Sequence, residues 1–549
     1  MTDRQISDQG LRGDERWGTT PRLARDAAER FGDREAVADE GVRLSFDQLY
    51  HEARQAARGF LAGGVSHGDR IAIWAPNIHE WVVTLLGAHM AGAVVVPINT
   101  RFKGEEAGYI LDTSGASMLF TVTGFLDTDY VQLLRAAKRD RSRLHDIVVL
   151  RGDAPEGSIA WSDFCARGLD ATEADVDRQM ASVKPDNLSD ILFTSGTTGR
   201  PKGVMCTHGQ TVRAFADWAD VVGLQEGDRY LIVNPFFHAF GYKAGILACL
   251  MTGATIIPHA VFDPAAVLER IGHERISMLP GPPALFQSIL NTPDLARHDL
   301  SSLRLAVTGA AVIPVELIVR MREELGFERV ITGYGLTEAS GIVTMCRHDD
   351  DPETIATTSG RAIPGVEVSV VDDAGQEVER GQPGEVIVRG YNVMRGYLDD
   401  PEQTAEAIDA GGWLHTGDIG VMDERGNLRI TDRKKDMFIV GGFNAYPAEI
   451  ENLLLGHSGI AQVAVIGIPD ERLGEVGMAF VVPRAGEAIG PDDVVEWARE
   501  HMANYKAPRH VEVVDALPLN ASGKVLKTEL RERAAEIAAA RAPGGGAPS

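Results

Sequence analysis

Short apolar runs bounded by turn residues recur along this chain, with room for about one helix between most of them. They are RIAIWAP (70–76), AVVVPI (93–98), DILFTS (190–195), RYLIVNP (229–235), ISMLPGP (276–282) and LRLAVTGAA (303–311). A continuous apolar run of this length reads as a strand covered on both faces, and strands joined through helices are parallel neighbours. The pattern therefore predicts an α/β fold of layered subdomains. From about Gly360 to Ile430 the texture changes: VEVSVVD, GEVIVRG and GNLRITD are separated by Gly, Asp and Pro turns, as in a β-rich part. The charged run DRKKD (432–436) closes that region, and after it helical and strand patterns alternate in a compact α+β unit. The chain thus divides into a large N-terminal domain over 17–431, a junction at 432–436 and a small C-terminal domain over 437–534, with disorder expected at 1–16 and 535–549. At 549 residues it exceeds what one simple core holds.

Composition narrows the function classes. Lys+Arg 54 minus Asp+Glu 79 gives a net charge of −25, the wrong sign for a general nucleic-acid surface, though a nucleotide pocket needs only a few local donors. The four cysteines (165, 206, 249 and 346) lie far apart, with neither metal-ligand nor disulfide-framework spacing, and fit a reducing cytoplasm. The polar N-terminus has no apolar core of a signal peptide. The longest apolar stretch, Trp81 to Ile98, reads as a buried helix followed by a strand rather than as a membrane span.

The most informative string is TSGTTGRPKG (194–203). Glycines let backbone approach an anion, hydroxyl and N–H groups donate, and lysine adds charge, so the string suits a phosphate cradle. It does not fit the Walker A spacing.

Here the chain resembles the ANL adenylating superfamily of acyl- and aryl-CoA synthetases and adenylation domains. The resemblance continues, in the superfamily's order, at GYGLTE (333–338), WLHTGD (413–418), DRKKDMFIVGGFNAYPAEIE (432–451) and PLNASGKVLK (518–527). It implies an ATP-dependent carboxylate–CoA ligase working through an acyl-adenylate, with ATP, Mg²⁺ and coenzyme A. By the resemblance Thr194, Ser195, Gly196, Thr197, Thr198 and Lys202 hold the ATP phosphates, Gly309, Ala310 and Ala311 flank the adenine, and Gly333, Tyr334 and Gly335 contact it. Thr337 touches the α-phosphate, Thr198 and Glu338 hold the metal, Asp418 binds the ribose and Arg433 assists. Lys524 bridges the carboxylate and the α-phosphate, and His238 sits beside the carboxylate. Lys435 is the pivot of a C-terminal domain that rotates between the two half-reactions and brings Gly441, Gly442 and Phe443 toward the CoA thiol.

The acid is set by the pocket. The resemblance places Phe236, Phe237, Phe240, Tyr242, Lys243, Ala244, Gly281, Pro282, Pro283, Thr308, Gly341 and Ile342 near it, a mostly apolar set with small residues that leave width. Tyr242 and Lys243 are donors in an apolar segment. A ring ketone of the acid satisfies one, or Lys243 pairs with an acidic neighbour or faces solvent. Strings such as LPGPPALFQSIL (279–290) and AVTGAAVIPVELIVRM (306–321) are most similar to the ligases of actinobacterial steroid degradation, which implies a bicyclic methyl-dioxo-hydrindane propanoate. A medium-chain or alicyclic acid, and loading of a carrier protein in place of free CoA, stay open. The partners expected are small molecules, with no nucleic acid and no integral membrane contact, and homodimerisation is left open.

Overall fold

The computed structural model describes residues 11–138, 143–194, 201–293, 295–309, 313–433, 436–440, 443–470, 473–502, 504–520 and 524–541. They form two compact units. The first comprises residues up to 309, 313–368 and 387–415, and the second takes 369–386 and the chain from 416 onward. By compactness, 369–386 and 416–431 group with the C-terminal unit.

The first unit holds two nine-stranded sheets. One is built around six parallel strands, ordered Arg329–Tyr334, Leu305–Thr308, Met278–Pro280, Arg229–Ile232, Thr255–Pro258 and Glu35–Asp39. The chain leaves Arg229–Ile232 toward one side for Thr255–Pro258, then crosses back to Met278–Pro280 on the other side. Such a switch opens a crevice at the carboxyl ends of the two strands that flank it, where α/β sheets bind ligands. Residues 234–242 and 281–283 leave from those two ends.

The second sheet contains Arg70–Trp74, Val94–Pro97, Met118–Phe125 and Asp146–Arg151 in parallel, and Leu188–Thr194 joins beside Val94–Pro97. The helix His79–Met90 is buried from Glu80 through Met90, and Val94–Pro97 is buried throughout, as the apolar stretch 81–98 predicts. No helix among the described residues is long and apolar enough to cross a membrane. Leu11 donates its N–H to Asp217 at 2.8 Å and Gly13–Arg16 is a helical turn, so the disorder expected over 1–16 does not extend to Leu11–Arg16.

Antiparallel strands Val366–Val371, Pro383–Gly390, Leu414–Met422 and Leu428–Arg433 make the β-rich part in that order, and the division between the units falls within the first three. In the C-terminal unit, Gly474–Pro483 pairs with Ile460–Asp470, Phe438–Val440 and His510–Val513. Period-two alternation splits the central strands between two cores. Val463, Val465, Ala479 and Val481 pack on one face with Pro447–Leu454 and Pro491–His501. Ala464, Ile466, Met478 and Phe480 pack on the other with Leu530 and Ala534. The last helix runs to Arg541, past the tail expected to begin at 535.

Candidate active site

The string TSGTTGRPKG joins two antiparallel strands, Leu188–Thr194 and Lys202–Thr207, with Thr194 opposite Lys202. It is a hairpin connection, unlike the strand-to-helix turn of a Walker loop. The strand after it ends in a capping box: Gln210 N–H donates to Thr207 Oγ1 at 3.3 Å and Thr207 N–H to Gln210 Oε1 at 2.9 Å, which starts the helix His208–Val222.

Around the foot of the hairpin the polar groups meet one another. Tyr397 donates its hydroxyl to Glu338 Oε1 at 3.1 Å, and Thr194 Oγ1 donates to the same oxygen at 3.5 Å. The Lys202 ammonium lies 4.9 Å from the centre of the Tyr397 ring and donates to Gln403. Burial, and then the Glu338 charge, push the Tyr397 hydroxyl above the ordinary phenol range. Glu338 belongs to the turn Thr337–Ala339, and its carbonyl accepts Met394 N–H at 2.8 Å. The glycines of GYG serve close packing: a Cβ on Gly335 would stand 2.7 Å from Ile342 Cα, and one on Gly333 2.9 Å from the Thr344 carbonyl. Tyr334 ends its strand half-buried.

His238 caps the next turn. Its Nδ1 accepts Phe240 N–H at 3.2 Å, which places the proton of the neutral ring on Nε2. Gly341, at φ +104°, comes so near that a Cβ there would lie 2.9 Å from the Ala239 Cβ. Phe240 packs edge-on to Trp218 with ring centres 6.4 Å apart, and Thr308, 2% exposed, ends its strand with a hydroxyl that has no partner among the described residues.

Three members of the expected acyl pocket are turned elsewhere. Phe236 is fully buried against Trp81, with ring centres 5.4 Å apart. Lys243 and Asp190 form an ion pair at 2.9 Å with both side chains 0% exposed, and Tyr242 donates its hydroxyl to the other Asp190 oxygen at 3.2 Å. The two donors are met by a carboxylate of the protein, so neither waits for a ketone of the acid. Burial, the largest single influence, favours the neutral amine, but the charges and hydrogen bonds of Asp190 and Cys206 together raise the Lys243 pKa.

In the C-terminal unit, Asp418 is 5% exposed and stands opposite Arg433 on the neighbouring strand. Lys524 is exposed, and the Asn520 side chain accepts Lys524 N–H at 2.9 Å while Asn520 N–H donates to the Lys524 carbonyl at 2.8 Å. Ser195, Gly196, Thr197, Thr198, Ala310, Ala311, Lys435, Gly441 and Gly442 lie outside the described residues, as do the side chains of Arg433 and Phe443.

Tyr397 and Gln403 belong to this constellation but were not singled out in the sequence. The only local signal is the turn chemistry of MRGYLDDPEQT (394–404), where Asp400 caps a helix begun by Pro401. Asp39, His79 and Glu80 also lie close together, but Arg151 occupies the middle, 2.8 Å from Asp39 and 2.7 Å from Glu80, which makes the group an ion-pair network.

The hairpin foot with Lys202 and Glu338, and the segments 234–242 and 281–283 at the sheet switch point, make up the candidate site. The chain belongs to the AMP-binding enzyme family, matched over residues 24–398, and residues 449–524 match the AMP-binding enzyme C-terminal domain. It is an adenylating acyl-CoA ligase. It is 52% identical over 521 residues to the 3-(7a-methyl-1,5-dioxo-octahydro-1H-inden-4-yl)propanoyl:CoA ligase of Rhodococcus jostii, covering 94% of this chain and 98% of that one. It is also 52% identical over 517 residues to the Mycobacterium tuberculosis ligase of the same name, with the same coverage. Among solved structures, an anthranilate CoA ligase in complex with anthranoyl-AMP is 28% identical with a TM-score of 0.83, over 95% of this chain and 98% of that one.

Proposed function

We propose that this ligase activates a bicyclic, ketone-bearing propanoate of the methyl-dioxo-hydrindane type and transfers it to CoA. The observation that carries the reading is the 52% identity, over 94% of the chain, to two ligases named for that acid. The carboxylate oxygen attacks the α-phosphorus of ATP, the bond to pyrophosphate breaks, and an acyl-adenylate forms. The CoA sulfur then attacks the acyl carbon, AMP leaves, and the thiol proton is lost to solvent.

No side-chain nucleophile is required; positioning and electrostatic stabilisation carry the first step. Lys202 faces the terminal phosphates, Thr337 the α-phosphate and Asp418 the ribose. His238 donates from Nε2 to the acid's carboxylate, and Lys524 neutralises charge between that carboxylate and the α-phosphate. Glu338, with the hydroxyls of Thr194 and Tyr397 beside it, is an all-oxygen donor set that fits Mg²⁺. Bound there, Mg²⁺ would neutralise phosphate charge. Between the steps the segment after Lys435 turns, withdrawing Lys524 and bringing 441–443 toward the thiol.

The test is a competition among the hydrindane propanoate, octanoate, cyclohexanecarboxylate and benzoate with free CoA. Shape and polar fit together predict at least about a 100-fold advantage in kcat/KM for the bicyclic acid. A first rank for octanoate or cyclohexanecarboxylate overturns the reading.

A further inference from the structure

Beneath the candidate site lies a group of polar side chains shut off from solvent. Its centre is the Lys243–Asp190 pair, both residues 0% exposed. Asp190 also accepts the hydroxyls of Tyr242 at 3.2 Å and Ser189 at 2.5 Å. The buried Cys206 thiol neighbours the Lys243 ammonium and accepts the Ser340 hydroxyl at 3.7 Å, while Ser340 also donates to the Asn392 carbonyl at 2.8 Å. Four elements that bear candidate site residues converge here: the strands Leu188–Thr194 and Lys202–Thr207, the turn Tyr242–Leu247, and the turn Thr337–Ala339, which Ser340 closes at φ +58°.

A buried ion pair is a poor device for stability, since a well-packed hydrophobic pair of similar volume does as well or better. What it supplies is direction. Neighbouring residues of an α-helix point about 100° apart, yet Tyr242 and Lys243 reach the same carboxylate. They do so where the chain is wound as a π-helix, Tyr242–Leu247, whose i→i+5 turn is wider. The strand bearing Asp190 is hydrogen-bonded on both sides, by Val94–Pro97 and Lys202–Thr207, so it is the fixed partner. The movable partner is the helical turn, and directly before it come His238, Ala239 and Phe240, with Gly341 against Ala239.

We infer that Asp190 and Lys243 are positioning residues for the acid: their ion pair holds the wide turn 242–247 and through it aims His238 and Phe240. The inference rests on the reading that His238 and Phe240 border the acid. The acid used in its test is the one ranked first in the competition above, so a different substrate leaves the test standing.

The experiment compares Lys243→Met, Asp190→Leu and the double variant by thermal unfolding and by KM for the acid and for ATP. Each single change strands a buried charge and lowers the unfolding midpoint, and the double variant regains most of the loss. If the pair only stabilises the fold, the acid KM returns with the midpoint. If it positions, the double variant keeps an acid KM raised about fivefold or more, with the ATP KM within about twofold. Tyr242→Phe, which retains the ring, gives a second reading in a fold that loses only one hydroxyl. It is expected to raise the acid KM about twofold to fivefold, and an unchanged value overturns the inference. Phe240→Ala, on the same segment but outside the pair, is expected to raise the acid KM. An unchanged value removes the reading that His238 and Phe240 border the acid, and the inference with it.

Discussion

Tyr397 serves Glu338 through its hydroxyl and Lys202 through its ring, and the two roles separate by substitution. Tyr397→Phe deletes the hydroxyl that donates to Glu338 at 3.1 Å while keeping the ring 4.9 Å from the ammonium. A hydrogen bond to a charged group contributes about 1.5–3 kcal/mol. Tyr397 is only half-buried, so water replaces part of that and about 1 kcal/mol is lost, a factor of about 5 in the KM for ATP. Tyr397→Leu also removes the ring face, a further loss of about 1 kcal/mol at a partly screened site, so its KM for ATP rises about 30-fold in all. The assay is carboxylate-dependent pyrophosphate release with ATP varied at saturating acid, with the acid KM as control. Equal KM values for the two variants refute the separate roles. Parent-like values for both remove the Lys202–Tyr397–Glu338 cluster from the nucleotide site.

Lys524→Ala is expected to slow adenylation by about 10²–10³, as for loss of one preorganised charge-stabilising donor, while thioester formation from pre-made acyl-adenylate proceeds largely unchanged; single-turnover measurement of each half-reaction checks this. Gly341→Ala places a Cβ 2.9 Å from the Ala239 Cβ at φ +104°, and the combined overpacking and backbone strain cost about 2 kcal/mol or more, read as a lower unfolding midpoint with a raised acid KM. Asp217, accepting from Leu11 N–H and the Tyr391 hydroxyl, is pushed up to about 6, mainly by burial. A raised folded pKa favours the protonated form, so its contribution to stability is full below about pH 4 and lost as pH rises through about 6. Asp217→Asn therefore gains in unfolding midpoint relative to the parent at pH 7, and the gain shrinks by pH 5.

What could be read from the sequence follows from how each signal is encoded. The stretch 81–98 is legible because a helix hidden on nearly all sides and a central strand present no polar face to obscure the run. The strands of the C-terminal unit are legible by apolar content and turn residues, although both of their faces pack against cores. Tyr397 escapes because Gly396–Tyr397 is a two-residue strand with no periodicity, and its neighbours Lys202 and Gln403 stand 201 positions apart. Lys243 is conspicuous as a donor in an apolar segment, but its partner sits on an earlier strand that only tertiary packing brings beneath it. The DRKKD run marks a shift in composition, whereas compactness depends on contacts distant in sequence, which group 369–386 with residues from 416 onward.

Both hydrophobic clusters of the C-terminal unit draw their residues from 438–537. A piece that carries its own interior behaves as a cassette. It needs no borrowed apolar surface to keep its shape. Splicing the corresponding stretch of another ligase onto this one would bring its core with it.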